Sequence, residues 1–343
     1  MTGKDFITID GRMGEGGGQV LRGALALSLA LGRPFRISDI RANRPKPGLK
    51  RQHLTCVLAA AEICGAEVEG AEMKSTGLTF RPGPVRPGNY RFPIGSGGSV
   101  TLVLQAVLPP LMLADGPSTV EIIGGTHVPF APVYDYFERT LAPMLAKIGP
   151  GLKIGLHRPG FMDVGGGVVR VEVTPVRRLG LIDATVPGET ESLTGRIVSY
   201  NLPEVIGQRE EAVISQKLRD LTGLRTECLA ERDCGPGNYV LLELKRSTGT
   251  TITSGIAQLG LPAEKVARAA VSRMLSFLSS RAAVDVCLAD QLIVPMALAG
   301  GGRLLTEKPS LHLETVMELA SLFTGKNIEA TRAGDKTWLV EVK

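Results

Sequence analysis

The sequence predicts an α/β protein made of three βαβαββ units, with a small α/β domain inserted before the third unit. The first observation is a glycine-rich loop, an apolar helix and a β-rich segment that occur together from Gly14 and again from Gly95, with a weaker copy from Ala289. The second observation is an amphipathic helix and a pair of strands that follow each of these segments. Self-similarity of this kind indicates duplicated structural units.

Each apolar helix is expected to end at a glycine, because glycine adopts the left-handed conformation at little cost. Gly32, Gly116 and Gly300 take this place in the three copies. The amphipathic helices have apolar residues at three- and four-residue steps and are expected to end in the same way. Their closing glycines are Gly65, Gly149 and Gly325. The strands that follow include GLTFRPG, VVRVEV and WLVEV, and they complete the units.

A more polar segment separates the second unit from the third. The first two units run on continuously to about residue 178, whereas the third is recognisable only from about residue 280. The residues between them have strand and helix patterns of their own. We therefore predict a large three-unit domain over 1–181 and 280–343, and an inserted domain over 182–279.

Composition narrows the class of protein. With 343 residues, 43% of them apolar, the chain is long enough for two folded domains. A net charge of +5 and a pI of about 9.0 favour an anionic partner such as a nucleotide or RNA. No signal peptide or membrane-spanning stretch is visible, and the five cysteines form no CxxC pair. We expect a cytoplasmic protein with reduced cysteines, no zinc site and no membrane partner; a homo-oligomer is compatible with this composition.

The apolar helices each carry a polar residue near their start. When the helices are aligned on their closing glycines, Arg22 and Asp290 fall at the same place, and Gln105 lies one residue earlier. Three units packed around a pseudo-threefold axis would direct these side chains toward a shared region. The repeat therefore predicts a polar cluster between the three helices.

Two of the four histidines begin amphipathic helices. The stretches HLTCV and HLETV coincide when the units are aligned, which makes His53 and His312 repeat-equivalent. The positive end of the helix dipole disfavours imidazolium, and a neutral imidazole is the nucleophilic form. The alternative is a structural histidine that bonds to a nearby carbonyl group. The residues alone leave both interpretations open.

The loop GRMGEGGGQVLR also has two interpretations. Glycines before a helix suit anion binding through backbone amides, but a bare glycine loop is more often a tight turn. Glu15 would repel a phosphate, so its place in this loop favours a divalent cation between the two.

The segment RANRPKPGLKRQH is rich in positive charge. Its arginines include Arg41 and Arg44, and its prolines hold the chain extended. Arginine suits bidentate contacts with phosphate, so the segment could form a phosphate clamp. A solvated basic loop is the alternative.

Five stretches together resemble the RNA 3′-terminal phosphate cyclase family. They are GEGGGQVLR, RANRPKPGLKRQHL, FPIGSGGSVTLVLQAVLPPL, LADQLIVPMALAG and PSLHL, which occur in the family's order over nearly the whole chain. The resemblance implies the fold found above, related to that of enolpyruvyl transferases. It also implies RNA with a 3′-terminal phosphate and ATP as substrates, with Mg²⁺ or Mn²⁺ as the metal, and a 2′,3′-cyclic phosphodiester as the product.

The same resemblance assigns roles to individual residues. His312 matches the histidine that forms a covalent bond to AMP, and Glu15 matches the metal-binding glutamate. The residues that match ATP-binding positions are Gln105, Pro132, Cys287, Leu288, Ala289, Asp290 and Gln291. Those that match the polar lining near the phosphates and RNA are Arg22, Arg41, Arg44, Gln52 and His53. Between His53 and His312, the resemblance alone selects His312 as the nucleophile.

The chain departs from the family pattern in three places. Met162-Asp163 replaces a Tyr-Pro pair, Cys287 stands where an aromatic residue is common, and His127 stands in a usually acidic stretch. These departures bear on substrate preference. Two other functions stay as alternatives: a non-catalytic, cyclase-like RNA-binding factor of ribosome assembly, and an enolpyruvyl transferase, which shares the fold but not these motifs.

Overall fold

The first unit contains two parallel strands, two helices and a strand pair. The computed structural model describes residues 6–161, 165–218, 222–230 and 234–343. Its first elements are β1 (Ile7–Asp10), α1 (Gly18–Leu31), β2 (Phe35–Ser38), α2 (Arg51–Cys64), β3 (Glu67–Glu69) and β4 (Leu78–Arg81). The sheet has the order β1-β2-β4-β3, with β1 and β2 parallel and the other pairs antiparallel.

The second unit repeats this topology. It contains β5 (Asn89–Pro93), α3 (Val100–Leu111), β6 (Ser118–Gly124), α4 (Tyr134–Tyr136), a π-helical turn (Phe137–Leu141), α5 (Ala142–Ala146), β7 (Gly151–Arg158) and β8 (Gly167–Thr174). The sheet order is β5-β6-β8-β7, which matches the first unit strand for strand. The second helix of this unit is broken by the π-helical turn, so it consists of α4, that turn and α5.

The polar segment folds around a sheet of its own. After β9 (Ile182–Ala184) come β10 (Thr190–Tyr200), α6 (Val205–Lys217), β11 (Gly223–Leu229), β12 (Gly237–Arg246), β13 (Gly249–Ile256) and α7 (Ala263–Ser280). The strands β10 to β13 form a sheet in the order β11-β10-β12-β13. Apolar residues of α6 and α7 pack with alternate residues of these strands in a separate hydrophobic core.

The third unit is split by that segment. Its later elements are α8 (Val286–Ala299), β14 (Gly302–Thr306), α9 (Leu311–Thr324), β15 (Ile328–Arg332) and β16 (Trp338–Val342). The sheet order β15-β16-β14-β9 gives the same topology as the other two units when β9 is counted as the first strand. The prediction of three βαβαββ units is therefore confirmed.

The position of β9 differs from the sequence expectation. It pairs in parallel with β14, with Ile182 opposite Gly302, so the polar segment interrupts the third unit after its first strand and does not precede the unit. A strand of three residues is too short to show an alternating pattern, which explains why the sequence did not reveal it. The exact limits of the inserted domain stay a prediction.

Four of the six expected closing glycines end their helices. Gly32, Gly65, Gly300 and Gly325 each adopt the left-handed conformation at a helix end. The predictions for Gly116 and Gly149 are wrong. The helix α3 ends at Leu111, just after a Pro-Pro pair that removes two backbone donors, and α5 ends at Ala146.

Helix α1 lies at the centre of the large domain. It contacts α2, α3, α8 and α9, and ten consecutive residues from Val20 to Leu29 are buried. A helix that is apolar on every side belongs in a core, which agrees with its composition of Leu, Ala and Val. This packing brings the N-terminal end of α1 beside the N-terminal ends of α2 and α9, where the candidate site lies.

Candidate active site

His312 is held at the start of α9 by two polar neighbours. Ser310 caps the helix and accepts a hydrogen bond from the Leu313 amide at 3.2 Å. The His312 Nδ1 atom contacts Gln19 Oε1, and Gln19 Nε2 donates to the His312 carbonyl oxygen at 3.2 Å. The His312 Nε2 atom lies 2.6 Å from Glu15 Oε2. Both ring nitrogen atoms thus have a polar neighbour, while 46% of the side chain stays exposed.

Partial burial and two nearby arginines favour a neutral imidazole, whereas the Glu15 carboxylate beside Nε2 acts in the opposite sense. The pKa of His312 is lowered from its usual value, first by partial burial and then by the nearby positive charges of Arg22 and Arg44. Loss of solvation and cationic neighbours both disfavour imidazolium. The sequence-based expectation of a neutral ring at this helix start agrees with this direction.

Glu15 links the glycine-rich loop to the basic segment. Its Oε1 atom pairs with Arg44, and Asn43 Nδ2 donates to its backbone oxygen at 3.4 Å. Its backbone amide donates to Thr315 Oγ1 on α9 at 3.3 Å. The Oε2 atom that faces His312 is buried and has no hydrogen-bond partner of acceptable geometry among the described residues. A buried carboxylate oxygen without such a partner is a candidate ligand for a cation.

The glycines of this loop permit close packing. Gly14 and Gly16 have positive φ values of 53° and 59°, and a Cβ at either position would overlap Thr315 or Asn43. A Cβ at Gly18, the first residue of α1, would overlap the ring of His53. Close turn packing therefore accounts for these glycines, and it leaves the N-terminal end of α1 beside His53 and Arg22.

His53 and His312 are not structurally equivalent, so that part of the sequence analysis is wrong. His53 is the third residue of α2, after the cap at Lys50, whereas His312 is the second residue of α9, after the cap at Ser310. Gln52 is the true counterpart of His312. One residue turns a side chain by about 100° around a helix of 3.6 residues per turn. His53 is consequently buried, at 8% exposure, and packs against α1.

The pKa of His53 is lowered to about 3, mainly by burial and then by Arg22, Arg41 and Lys50. Its Nδ1 atom has no hydrogen-bond partner among the described residues. A ring with this pKa stays neutral in the folded protein at pH values near 7.

The polar cluster between the first helices is confirmed. Arg22 Nε donates to Gln105 Oε1 at 3.2 Å, and Gln105 Nε2 donates to Gln291 Oε1 at 3.2 Å. Asp290 lies near Arg22, and burial, followed by the charge of Asp285, raises the pKa of Asp290 to about 8. These residues come from α1, α3 and α8, so all three units contribute, as the repeat predicted.

The two arginines of the basic segment have different surroundings. Arg41 is buried, with a positive φ of 58°, and its Nη1 atom donates to the carbonyl oxygens of Lys46 and Gly48 at 2.6 and 2.8 Å. Arg41 therefore braces its own loop. Arg44 instead reaches Glu15, and its side chain is 40% exposed.

Gln52 supports the second glycine-rich loop. Its Oε1 atom accepts a hydrogen bond at 2.8 Å from the backbone amide of Ser99, the residue that caps α3. This contact connects the start of α2 to the start of α3. Gln52 thus lies beside the site and makes no contact with His312.

The other residues that match ATP-binding positions are found both at the surface and in the core. Cys287 is exposed, and the Pro132 carbonyl oxygen accepts a hydrogen bond from Thr101 at 2.6 Å. Leu288 and Ala289 are buried in the core, at 2% and 0% exposure, so their side chains face protein. Phe130, which the sequence analysis did not select, is 97% exposed with a positive φ of 63°.

His127 belongs to a domain interface and not to the site. It is buried, its Nε2 atom lies 2.8 Å from Asp135 Oδ2, and its ring stacks on Tyr239 of β12 at a centroid distance of 4.1 Å. The unusual residue at this position therefore joins the inserted domain to the second unit. The Met162-Asp163 departure lies outside the described residues.

Sequence reasoning missed Gln19 and Thr315, which fix the site from two different helices. Gln19 follows Glu15 by four residues, just inside α1, and its polarity in an apolar helix was the available signal. Thr315 gave no such signal. No group of three or more His, Cys, Asp or Glu side chains arranged for a metal ion occurs in the part of the chain that the structure describes.

The family model for "RNA 3'-terminal phosphate cyclase" matches residues 13–330. The chain belongs to this family. The cyclase family contains ATP-dependent cyclases and also non-catalytic relatives, and membership does not distinguish between them.

Two solved structures are similar to this chain. The enolpyruvyl transferase NikO from Streptomyces tendae matches with a TM-score of 0.37 at 10% identity, over 98% of this chain and 48% of its own. The EPSP synthase from Acinetobacter baumannii matches with a TM-score of 0.30 at 10% identity, over 99% of this chain and 65% of its own. The cyclase-family chain thus spans about half and about two thirds of their lengths. Among its described residues, none of the helices combines the length and apolar character needed to cross a membrane.

Proposed function

We propose that this member of the cyclase family is an active enzyme that uses ATP to convert an RNA 3′-terminal phosphate into a 2′,3′-cyclic phosphodiester. The observation that carries the proposal is the contact set around His312, with Gln19 on Nδ1 and Glu15 facing Nε2. A non-catalytic relative has no need for a half-exposed, neutral imidazole fixed in this way.

The contact with Gln19 selects the tautomer. Gln19 Oε1 only accepts hydrogen bonds, so the proton of the neutral ring lies on Nδ1 and is donated to it. The lone pair is then on Nε2, the atom that faces Glu15. His312 Nε2 is therefore the nucleophile.

The reaction proceeds in three balanced steps. His312 Nε2 attacks the α-phosphorus of ATP, a P–N bond forms, and pyrophosphate leaves. An oxygen of the RNA 3′-phosphate then attacks the same phosphorus, which transfers AMP to the RNA and regenerates the neutral histidine. Finally the adjacent 2′-hydroxyl attacks the activated 3′-phosphorus, loses its proton and displaces AMP. Activation supplies the leaving group, and the neighbouring hydroxyl is already held close to its target.

Glu15 fits a role as the protein ligand of Mg²⁺ or Mn²⁺. Its Oε2 atom and the His312 lone pair lie 2.6 Å apart, and two electron-pair donors at this distance need a proton or a cation beside them. Mg²⁺ is commonly bound through one or two carboxylates together with substrate phosphates, so a three-ligand protein cage is unnecessary. A bound divalent ion would neutralise phosphate charge during the attack by Nε2.

Arg44 and Arg22 supply the positive charge for the phosphates. Arg44 is partly exposed beside Glu15, and Arg22 lies behind it, bonded to Gln105. We assign Arg41 a positioning role, because its Nη1 atom is engaged by backbone oxygens of its own loop. Phosphate contact by Arg41 itself would require this loop to rearrange.

Phe130 is the candidate contact for the adenine base. It lies two residues before Pro132 and presents an exposed ring. Nucleobases stack on aromatic rings with about 1–3 kcal/mol per base, and a left-handed non-glycine residue is often retained for function. Phe130→Ala should raise the ATP concentration at half-maximal labelling about tenfold or more without changing the labelled residue. An unchanged ATP requirement would remove Phe130 from the site.

The test of the function is incubation with ATP labelled at the α-phosphate and Mg²⁺ or Mn²⁺, without RNA. The proposal expects an acid-labile, base-stable label, which mass spectrometry locates on the peptide that contains His312. RNA with a 3′-phosphate should then discharge the label and yield a cyclic end. A protein that remains unlabelled with either metal, while it still binds RNA, would instead be a non-catalytic member of the family.

A further inference from the structure

A second cavity lies where the inserted domain joins the third unit. Its volume is about 410 Å³, within the range of small-molecule sites. Three segments line it: the chain around β9 at 181–186, the β12–β13 hairpin at 246–251, and residues 283–288 at the start of α8, with Met144 and Lys147 completing the wall. Neither His312 nor any residue that contacts it lines this cavity.

Arg246 gives the cavity a positive charge that the protein leaves unpaired. Its guanidinium lies 4.9 Å above the ring of Phe277, and its Nη1 atom donates to the Ala282 carbonyl oxygen at 2.8 Å. Among the described residues no carboxylate forms an ion pair with it, and its Nε atom has no hydrogen-bond partner. Burial lowers the pKa of Arg246. A partly buried cation without a counter-ion is costly, unless an anion binds beside it.

The other polar groups of the cavity wall add to this excess of positive charge. Lys147 Nζ donates to the Thr248 carbonyl oxygen at 2.6 Å and, within the described ranges, pairs with no acidic side chain. The carboxylate in the lining, Asp183, is bound to Arg303 at 2.6 Å, outside the cavity wall. The hydroxyl residues Ser247, Thr248, Thr250 and Thr251 also line the cavity. Hydroxyls and cations together suit a phosphate group.

Two apolar side chains of the lining are open to solvent. Leu181 and Val186, both from the segment around β9, are 67% and 66% exposed. Large apolar side chains that are exposed beside a cavity favour a ligand with an apolar part. The lining thus combines cationic and hydroxyl groups with exposed apolar side chains.

We propose that this cavity binds a small phosphorylated ligand with an apolar or aromatic portion, with the phosphate at Arg246 and the apolar part between Leu181 and Val186. Both chain connections between the two domains, at 181–186 and at 282–284, lie at the cavity or at Arg246. A bound ligand would therefore hold the inserted domain against the large domain.

The test is calorimetric titration of the full chain with inorganic phosphate and with phenyl phosphate. Neither probe contains a nucleoside, so neither depends on ATP recognition at His312. We expect phenyl phosphate to bind more tightly than phosphate. Arg246→Gln should weaken both probes by about tenfold or more, because it removes hydrogen bonds from a charged donor. Lys245→Gln is the matched control, since Lys245 is the adjacent residue of β12, pairs with Glu191 and lies outside the cavity.

Val186→Asp is the second variant, because Arg246 also braces the linker and its replacement could impair folding. Val186 is exposed, so an aspartate there should leave the fold intact and repel the anionic probes. Weaker binding in Val186→Asp, with Lys245→Gln unchanged, supports the proposal. Absence of binding by the wild-type protein overturns it. So does binding that is lost in Arg44→Gln and kept in Arg246→Gln and Val186→Asp, because the probes would then occupy the His312 site.

Discussion

The starts of α2 and α9 occupy the same place in two copies of one structural unit. The histidine of α2 lies one residue further from the start of its helix than the histidine of α9 does. On α9, His312 is half-exposed, with Gln19 on one ring nitrogen and Glu15 facing the other. On α2, His53 is one position further along, buried, and packed against the start of α1. The α2 residue that corresponds to His312 is Gln52, and it bonds to the backbone of Ser99.

The comparison teaches that residue type and proximity to a helix start do not make a nucleophile. Burial and nearby cations lower the pKa of both rings. Only His312 combines a lowered pKa with exposure and with a side-chain acceptor, Gln19 Oε1, at Nδ1. The rotation of about 100° per residue separates a half-exposed ring from a packed one.

The largest expected effect is on covalent labelling by ATP. His312→Ala should abolish it, by more than about a thousandfold, because the atom that forms the P–N bond is removed. His53→Ala should keep the label and lose about 1–2 kcal/mol of unfolding free energy through a poorly filled site. Labelling with α-labelled ATP and denaturant unfolding measure the two effects. Loss of label in both variants, with both proteins folded, would show that the two rings act together.

The next effect concerns Gln19, which has no counterpart at His53. Gln19→Leu should slow labelling by about 10- to 100-fold, the cost found when a histidine ligand loses the partner that orients it. Gln19→Glu keeps an acceptor for the Nδ1 proton and should recover most of the rate above neutral pH. Equal rates in Gln19→Leu and wild type would mean that the tautomer of His312 is set by another group.

The effect of pH on the labelling rate should be smaller than the effect of losing Gln19. Its sign should be opposite to the pH dependence expected for a catalytic acid. The pKa of His312 is lowered from 6.5, so the ring is neutral at pH 7, and the rate should fall only as the pH drops below this usual value. Arg44→Gln removes one of the cations that lower this pKa and frees the charge of Glu15. The acid limb of the rate profile should therefore move to higher pH, and a shift to lower pH would contradict the electrostatic account.

The smallest effect is spectroscopic and compares the two rings directly. In ¹⁵N-histidine NMR spectra, His53 should keep the shifts of a neutral ring from pH 8 to pH 5, because its pKa lies near 3. The signals of the half-exposed His312 ring should respond to acid at a higher pH than those of the buried His53 ring. Assignment by the single-alanine variants identifies each signal. Titration of His53 above pH 5 would show that it is solvated.

Hydrophobic periodicity and the placement of glycines predicted much of the fold, because helices and their ends are set largely by residues that are close in the sequence. Gly32, Gly65, Gly300 and Gly325 close their helices as expected. The failures occurred where the local signal was absent or overridden, as with the three-residue strand β9 and with α3, which ends beside its Pro-Pro pair. The convergence of Arg22, Gln105 and Asp290 was predictable because they lie at nearly the same position in the first helix of each unit.

The sequence by itself determined three units, four of their six helix ends and the polar residues that meet between the helices. It also placed two histidines at helix starts, without distinguishing them. Tertiary structure decided that His312 meets Gln19, 293 residues away, while His53 is covered by α1. The physical reason is that the rotation of a helix about its axis is fixed by packing against distant elements, and this rotation determines which side chain reaches Glu15.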